Sequence, residues 1–170
     1  MQSRYYIKDI VYGANDGIIT TFAIVSGVIG AGLSMRTVLI IGTASLAADA
    51  FSMASSSYLG SLSERAAFPR LRDEGVVERH TNPLTAALIT FISFVVAGSM
   101  PLLPYVIFRG EGFVFFFTAT VTGLALFLAG ALRSHFTHRN FVVSGIEMLV
   151  VGGIAAGIAF TLGKLVSILT

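Results

Sequence analysis

Cysteine is absent from the 170-residue chain. No disulfide framework, thiolate zinc site or iron–sulfur cluster can form, so any metal chemistry falls to oxygen, imidazole or thioether ligands. Charge is scarce as well, at 12% of residues, where a soluble domain carries roughly 25%. With 55% hydrophobic residues and a mean hydropathy of +0.84, a soluble globular fold is excluded. The net charge of +2 and pI near 9.2 do not signal nucleic-acid binding. The Lys and Arg residues lie between apolar stretches and form no single basic face.

What is present is five apolar stretches of about 20 residues each, enough for each to cross the roughly 30 Å hydrocarbon core as a helix. They predict an all-α membrane protein, one domain over residues 1–170, with transmembrane helices at about 16–34, 37–60, 84–107, 113–132 and 141–163. Ahead of the first, Tyr5, Ile7, Ile10 and Val11 alternate with Arg4, Lys8 and Asp9. That pattern predicts a short N-terminal interfacial helix. A cleaved signal peptide is disfavoured by Asp16 and by the length of the apolar run. Pro101 and Pro104 are expected to loosen the exit of the third helix.

The main polar segment is the connection at about 61–82, where Arg and acids are mixed and Pro69 and Gly75 interrupt. Glu64, Asp73, Glu74, Glu78 and His80 are candidate metal contacts there, with Glu64 placed for cytoplasmic metal entry. A solvated, charge-balanced loop is the plainer account. His135 and His138 read as headgroup-level polar residues. With the N-terminus in the cytoplasm, Arg4, Lys8, Arg65, Arg70, Arg72, Arg79, Arg133 and Arg139 lie inside. Arg36, Arg109 and Lys164 lie outside. Eight against three sets the orientation, and an odd number of crossings puts the C-terminus on the opposite side.

Lipid tails give helices no hydrophobic reason to associate, so packing relies on small residues. Gly13 and Gly17 are four apart, as are Gly153 and Gly157, and Gly27, Gly30 and Gly32 thin the outer half of the first helix. Five helices make a thin wall for a pathway, which favours a homodimer sharing one between subunits.

Asp16, Asp49 and Glu147 fall inside predicted helices, all in the cytoplasmic half, with no Lys or Arg expected at their depth. An acid at the bilayer centre costs on the order of 3 kcal/mol, so each is a functional candidate. The alternative is a protonated acid capping a neighbouring polar group, and for Glu147 the two readings are level. Met53 lies one turn beyond Asp49 on the same helix face, with Ser45, Ser52 and Ser56 at adjacent positions. A lone methionine in a membrane helix is usually packing. Beside a carboxylate, however, its soft sulfur suits a borderline cation such as Fe2+ better than Mg2+ or Ca2+, with Mn2+ also compatible. Zinc and Cu(I) would ordinarily recruit His or Cys, and neither lies in a predicted helix.

At these residues the chain resembles the vacuolar iron transporter family. The stretches DGIITTFAIVSGVIGAG (16–32) and ADAFSMASSSYLG (48–60) are similar to that family's two signature helices. NPLTAALITF (82–91), PLLPY (101–105) and SGIEMLVVGGIAAGIAF (144–160) match its third and fifth helices in kind. The resemblance implies a five-helix dimer that moves Fe2+, and often Mn2+, out of the cytoplasm in exchange for protons, with Asp16 and Met53 lining the path. No enzymatic activity and no resident cofactor are implied; the partners are the bilayer, divalent metal, protons and a second copy.

The chain departs from the family in two ways. Ser45 stands where better-known members carry a Glu, making Asp49 the substitute acid, and the long Glu-rich cytoplasmic extension is missing. A compact chain of this kind fits a prokaryotic plasma membrane, with a vacuolar membrane as the alternative location. A non-transporting scaffold or metal-sensing subunit is the competing function.

The topology is directly testable. In an otherwise native chain, Thr81→Cys should react with an impermeant thiol reagent only from the cytoplasmic side and Thr170→Cys only from the other. Labelling of both from one side would break the odd-crossing topology.

Overall fold

The computed structural model describes residues 6–67, 82–108, 113–137 and 140–169. Among these residues there are six helices and no strands: α1 (Ile7–Gly30), α2 (Met35–Ala67), α3 (Pro83–Ser99), α4 (Leu103–Ile107), α5 (Val114–Thr137) and α6 (Phe141–Leu169). Helices are the expected outcome, because in hydrocarbon each backbone N–H and C=O must find its partner within the segment. Four are long and apolar enough to cross a membrane: α1, α2 over Met35–Glu64, α5 over Val114–Ser134, and α6. The protein is thus an integral membrane protein.

The five-crossing expectation is only partly met, because α3 is a shorter apolar helix of 17 residues, about 26 Å long at 1.5 Å per residue. Its start is sharp: Pro83 occupies the first turn and the Asn82 side chain accepts a hydrogen bond from the Leu84 N–H at 3.0 Å. Its end is set by Pro101, which has no N–H to offer the Ala97 carbonyl. That carbonyl instead accepts from Met100 in a tighter turn. The predicted helix 84–107 is therefore two helices, α3 and the five-residue α4.

Other boundaries also differ from expectation. Ile7, Lys8, Asp9, Ile10 and Val11 of the expected interfacial helix are the first turns of α1, which runs unbroken from Ile7; Arg4 and Tyr5 lie outside the described residues. Tyr12 and Ile10 still face outward, and the Lys8 ammonium sits 5.9 Å from the Tyr12 ring centroid. Gly13 does not break the helix, because it is used in packing. The α2 helix continues past Gly60 to Ala67, so the first turns of the expected 61–82 connection are helical; the rest of that segment lies outside the described residues. The α5 helix continues to Thr137, which places Arg133 inside it.

The α1–α2 link is tight. Gly32 adopts φ +69°, its N–H donates to the Ile29 carbonyl and the Leu33 N–H to that of Val28, a closure that favours glycine. Ser34 then accepts from the Thr37 N–H at 3.3 Å to open α2.

Of the other helices, α1 touches α2, α3, α5 and α6. Against α3 the two backbones nearly meet: a Cβ on Gly13 would lie 2.6 Å from the Thr90 carbonyl oxygen, and one on Gly17 2.5 Å from that of Phe94. On its outer half, α1 meets α6 where Gly27 faces Ala159, and Gly30 faces Phe160. At Gly153 and Gly157, by contrast, an added Cβ would meet nothing within 4 Å among the described residues. Two buried clusters fill the interior, one around Val25, Phe94 and Val114 and one of Ile18, Ala97, Leu126 and Met148.

These contacts predict opposite responses at two glycines. Gly17→Ala drives a methyl into backbone and should destabilise the fold by about 1–3 kcal/mol. Gly157→Ala meets open space and should be neutral or slightly stabilising. Thermal unfolding of both variants in one detergent checks the pair, and equal responses would contradict the observed α1–α3 contact.

Candidate functional site

The α2 helix presents three adjacent stripes at four-residue spacing. Val38, Gly42, Leu46 and Ala50 are buried against the bundle. Ser45, Asp49 and Met53 are half-buried beside them, and Ser52 and Ser56 point outward from the chain. Met53 also packs on the cluster containing Val25 and Phe94, so its side chain sits at the border of core and stripe. A packing contact and a ligand role are both compatible with that position.

On α1, Asp16 is half-buried and its neighbour Gly17 is pressed against α3. Its backbone carbonyl accepts from the Thr20 hydroxyl at 2.7 Å. Asp16 and Asp49 lie 17 and 16 positions either side of Leu33 in the α1–α2 turn, so the hairpin sets them at about the same level on two helices that touch. These two sequence candidates therefore belong to one region, with Met53 one turn along α2 from Asp49.

The remaining candidates do not join them. Glu64 is exposed near the end of α2, and fifteen residues of helix separate it from Asp49, about 22 Å along the axis. Asp73, Glu74, Glu78, His80 and His138 lie outside the described residues, as does the side chain of His135. Among the described residues no group of three His, Asp or Glu side chains gathers in one place.

Glu147 overturns one expectation. A cation is available at its depth: Arg133 Nη2 on α5 donates to Glu147 Oε2 on α6 at 3.0 Å. Sequence reading missed this pair because it ended the fourth helix at 132. A signal was nonetheless present. Both residues lie seven positions from Asn140, whose side chain accepts from the Val142 N–H to start α6. Two helices that turn back at that point bring 133 and 147 level with each other.

Chemically, Asp16 and Asp49 are two like-charged oxygen donors with a thioether nearby. Two carboxylates in such a setting favour a bound cation or a shared proton over two bare charges, and a sulfur among oxygens suits a borderline divalent ion.

Comparison with known proteins gives a consistent picture. The family model described as VIT family matches residues 7–76 and 70–164, so its two matched pieces meet inside the 61–82 connection. The vacuolar iron transporter 1 of Arabidopsis thaliana is 26% identical over 94% of this chain and 86% of its own length. The vacuolar iron transporter of Plasmodium falciparum is 29% identical over 92% of this chain and 81% of its own length. The vacuolar iron transporter homolog 2.1 of Arabidopsis thaliana is 26% identical over 98% of this chain and 84% of its own length. The first two alignments run to 214 and 222 residues and the third to 183, so the first two relatives carry more residues that this shorter chain lacks.

The ion pair yields a stability prediction. Its side chains are 33% and 42% exposed, so the pair should couple only modestly. A double-mutant cycle of Arg133→Gln and Glu147→Gln, read by thermal unfolding, should return about 0.5–1 kcal/mol of interaction. Additive single effects would mean that the pair contributes nothing.

Proposed function

The chain belongs to the VIT family, and on that premise we propose that it moves Fe2+, and also Mn2+, out of the cytoplasm in exchange for protons. The observation that carries the reading is the placement of Asp16 on α1 and Asp49 on α2, two half-buried acids on adjoining helices that are each long and apolar enough to cross a membrane. A carboxylate holds either a proton or part of a cation's shell, so binding of one displaces the other. Competition at Asp16 and Asp49 then couples the two fluxes. Met53 supplies the softer donor that favours Fe2+ over Mg2+ or Ca2+, and Ser45 adds a hydroxyl one turn from Asp49. Glu147, held by Arg133, is assigned to the scaffold in this reading, although the sequence also allowed it a role in proton coupling. Glu64 is assigned to the cytoplasmic approach.

Several finer points belong to the same proposal. The α3 helix serves as the fifth crossing, which places the N-terminus in the cytoplasm and the C-terminus outside. Two carboxylates and one thioether are few donors for a divalent ion of this size. A homodimer formed across the face of α2 that carries Ser52 and Ser56 would double the set and bring those hydroxyls to the path. A prokaryotic plasma membrane is the proposed location, with a vacuolar membrane as the alternative. No resident cofactor and no catalytic step are needed. The relatives' names, all vacuolar iron transporters or a homolog of one, favour transport over a passive scaffold or metal-sensing subunit.

Purified protein in sealed vesicles tests this directly. Fe2+ uptake should occur, accelerate with an opposing proton gradient, and be abolished by Asp16→Asn or Asp49→Asn. Each change removes charge while retaining volume and hydrogen-bonding atoms. Met53→Leu conserves apolar bulk at a stability cost below about 1.5 kcal/mol and should slow Fe2+ more than Mn2+. Absence of any metal flux from well-folded protein would favour the scaffold. Equal, near-parental rates for both metals in Met53→Leu would leave that side chain a packing role alone.

A further inference from the structure

Most hydroxyls on these helices are disposed of locally. Thr20, Ser26, Thr43, Thr90, Thr120 and Thr161 each donate to the carbonyl one turn earlier, the least costly arrangement for a hydroxyl away from water. Thr21, Thr118 and Thr122 do not. All three are at most 1% exposed, and their hydroxyls are buried without a hydrogen-bond partner. A fourth hydroxyl joins them: the phenol of Tyr105 on α4, 3% exposed, approaches the Thr118 side chain without the geometry of a formed hydrogen bond.

These side chains belong to one region. On α5 the buried positions Val114, Thr118, Thr122 and Leu126 recur every four residues. Leu126 shares a cluster with Ile18 of α1, and Val114 shares one with Val25. The helices thus run antiparallel where they meet, and Thr21, between Ile18 and Val25 on α1, falls level with Thr118 and Thr122. From the proline-broken end of the bundle inward, Tyr105 comes first, followed by Thr118 and Thr122 with Thr21 alongside them. This face is separate from the carboxylates: Thr21 follows Asp16 by five residues, about 140° around α1 at 100° per residue.

Neutral hydroxyls with no charge among them are poor ligands for a divalent ion, but each both donates and accepts, which is what a water molecule requires. Buried water characteristically satisfies such groups. We propose that Tyr105, Thr118, Thr122 and Thr21 hold a file of water molecules inside each chain, and that this file carries the proton leg of the exchange apart from the metal path. The second clause rests on the transport reading above; the first stands without it.

The test uses the full chain in lipid vesicles and the variant Thr118→Val/Thr122→Val, which keeps the β-branched shape and deletes both hydroxyls. X-ray hydroxyl-radical footprinting reads the water. Tyr105 and Leu126, although buried, should be oxidised in the parent and protected in the variant. Protection in the parent would overturn the water file. Thermal unfolding gives a second reading, because deleting hydroxyls from a dry site stabilises and deleting them from a hydrated one does not. A higher melting temperature in the variant therefore also counts against it.

A trapped pH dye during Fe2+ uptake reads the proton. The variant should slow proton movement by roughly tenfold with Fe2+ binding unchanged, and Thr118→Ser/Thr122→Ser should restore it. Oxidation with parental proton flux in the Val variant would overturn the proton leg. If the parent moves no protons with Fe2+, the exchange reading and with it the proton leg fall, while footprinting still decides the water site.

Discussion

The near contact of two backbones, α1 against α3 at Gly13 and Gly17, is the constraint on which the rest of the arrangement depends. Without a hydrophobic drive between helices in lipid, dispersion contacts at short range hold them together, and these need side chains small enough to allow approach. With Gly17 committed to the Phe94 carbonyl, the next residue back, Asp16, is turned about 100° away from α3. The tight Gly32 turn brings α2 alongside, and the only freedom left to Asp49 is rotation of α2 about its axis. That rotation is fixed by Leu46, whose side chain lies where a Cβ on Gly98 would be, 2.6 Å from its Cδ1. The carboxylate pair is thus positioned by glycines and a leucine that carry no chemistry.

The two pairs of charged residues in the bundle follow different energetics. Arg133 and Glu147 are opposite in sign, level across the α5–α6 turn and partly exposed. Such a pair balances its charge within the chain. Asp16 and Asp49 are alike in sign, and their repulsion grows as water is excluded. A structure that tolerates the second arrangement must gain from it through a cation or a proton supplied from outside, as the proposed exchange would do. The same comparison separates Glu147, for which the functional and structural readings were level in the sequence, from Asp16 and Asp49: it has a cation partner within the chain.

What could be read from the sequence was what depends on local chemistry. The apolar stretches, the loosening at Pro101, the Gly13–Gly17 spacing and the Asp49–Met53 stripe all follow from side chains and helix periodicity within one segment. What could not be read depended on partners in other segments. The alternation of Ile7, Ile10 and Val11 with Lys8 and Asp9 suggests an interfacial helix, but these residues form the first turns of α1, whose register is set by Gly13 against Thr90 of α3. Arg133 fell just beyond the estimated end of its helix, which hid its partner fourteen residues on. Gly153 and Gly157 have the same spacing as Gly13 and Gly17, but an added Cβ there would meet nothing within 4 Å among the described residues, a distinction spacing cannot make. The buried threonines are the clearest case. Thr20 and Thr21 are adjacent and chemically identical, yet one bonds its own helix and the other faces the interior.

That last contrast bears on how a small chain could separate two fluxes. Helix α1 is the one helix that touches α2, α3, α5 and α6 alike, and successive residues on it face different neighbours. Asp16 is half-buried, Gly17 faces α3, and Thr21 lies at the level of Thr118 and Thr122. In the proposed function, cation and proton would compete at the carboxylates while the proton's onward route runs along the opposite side of the same helix. Such an arrangement needs no additional domain. It also gives the shortness of this chain beside its longer relatives a limited consequence: in the proposed function, selectivity and coupling would reside on the faces of α1 and α2.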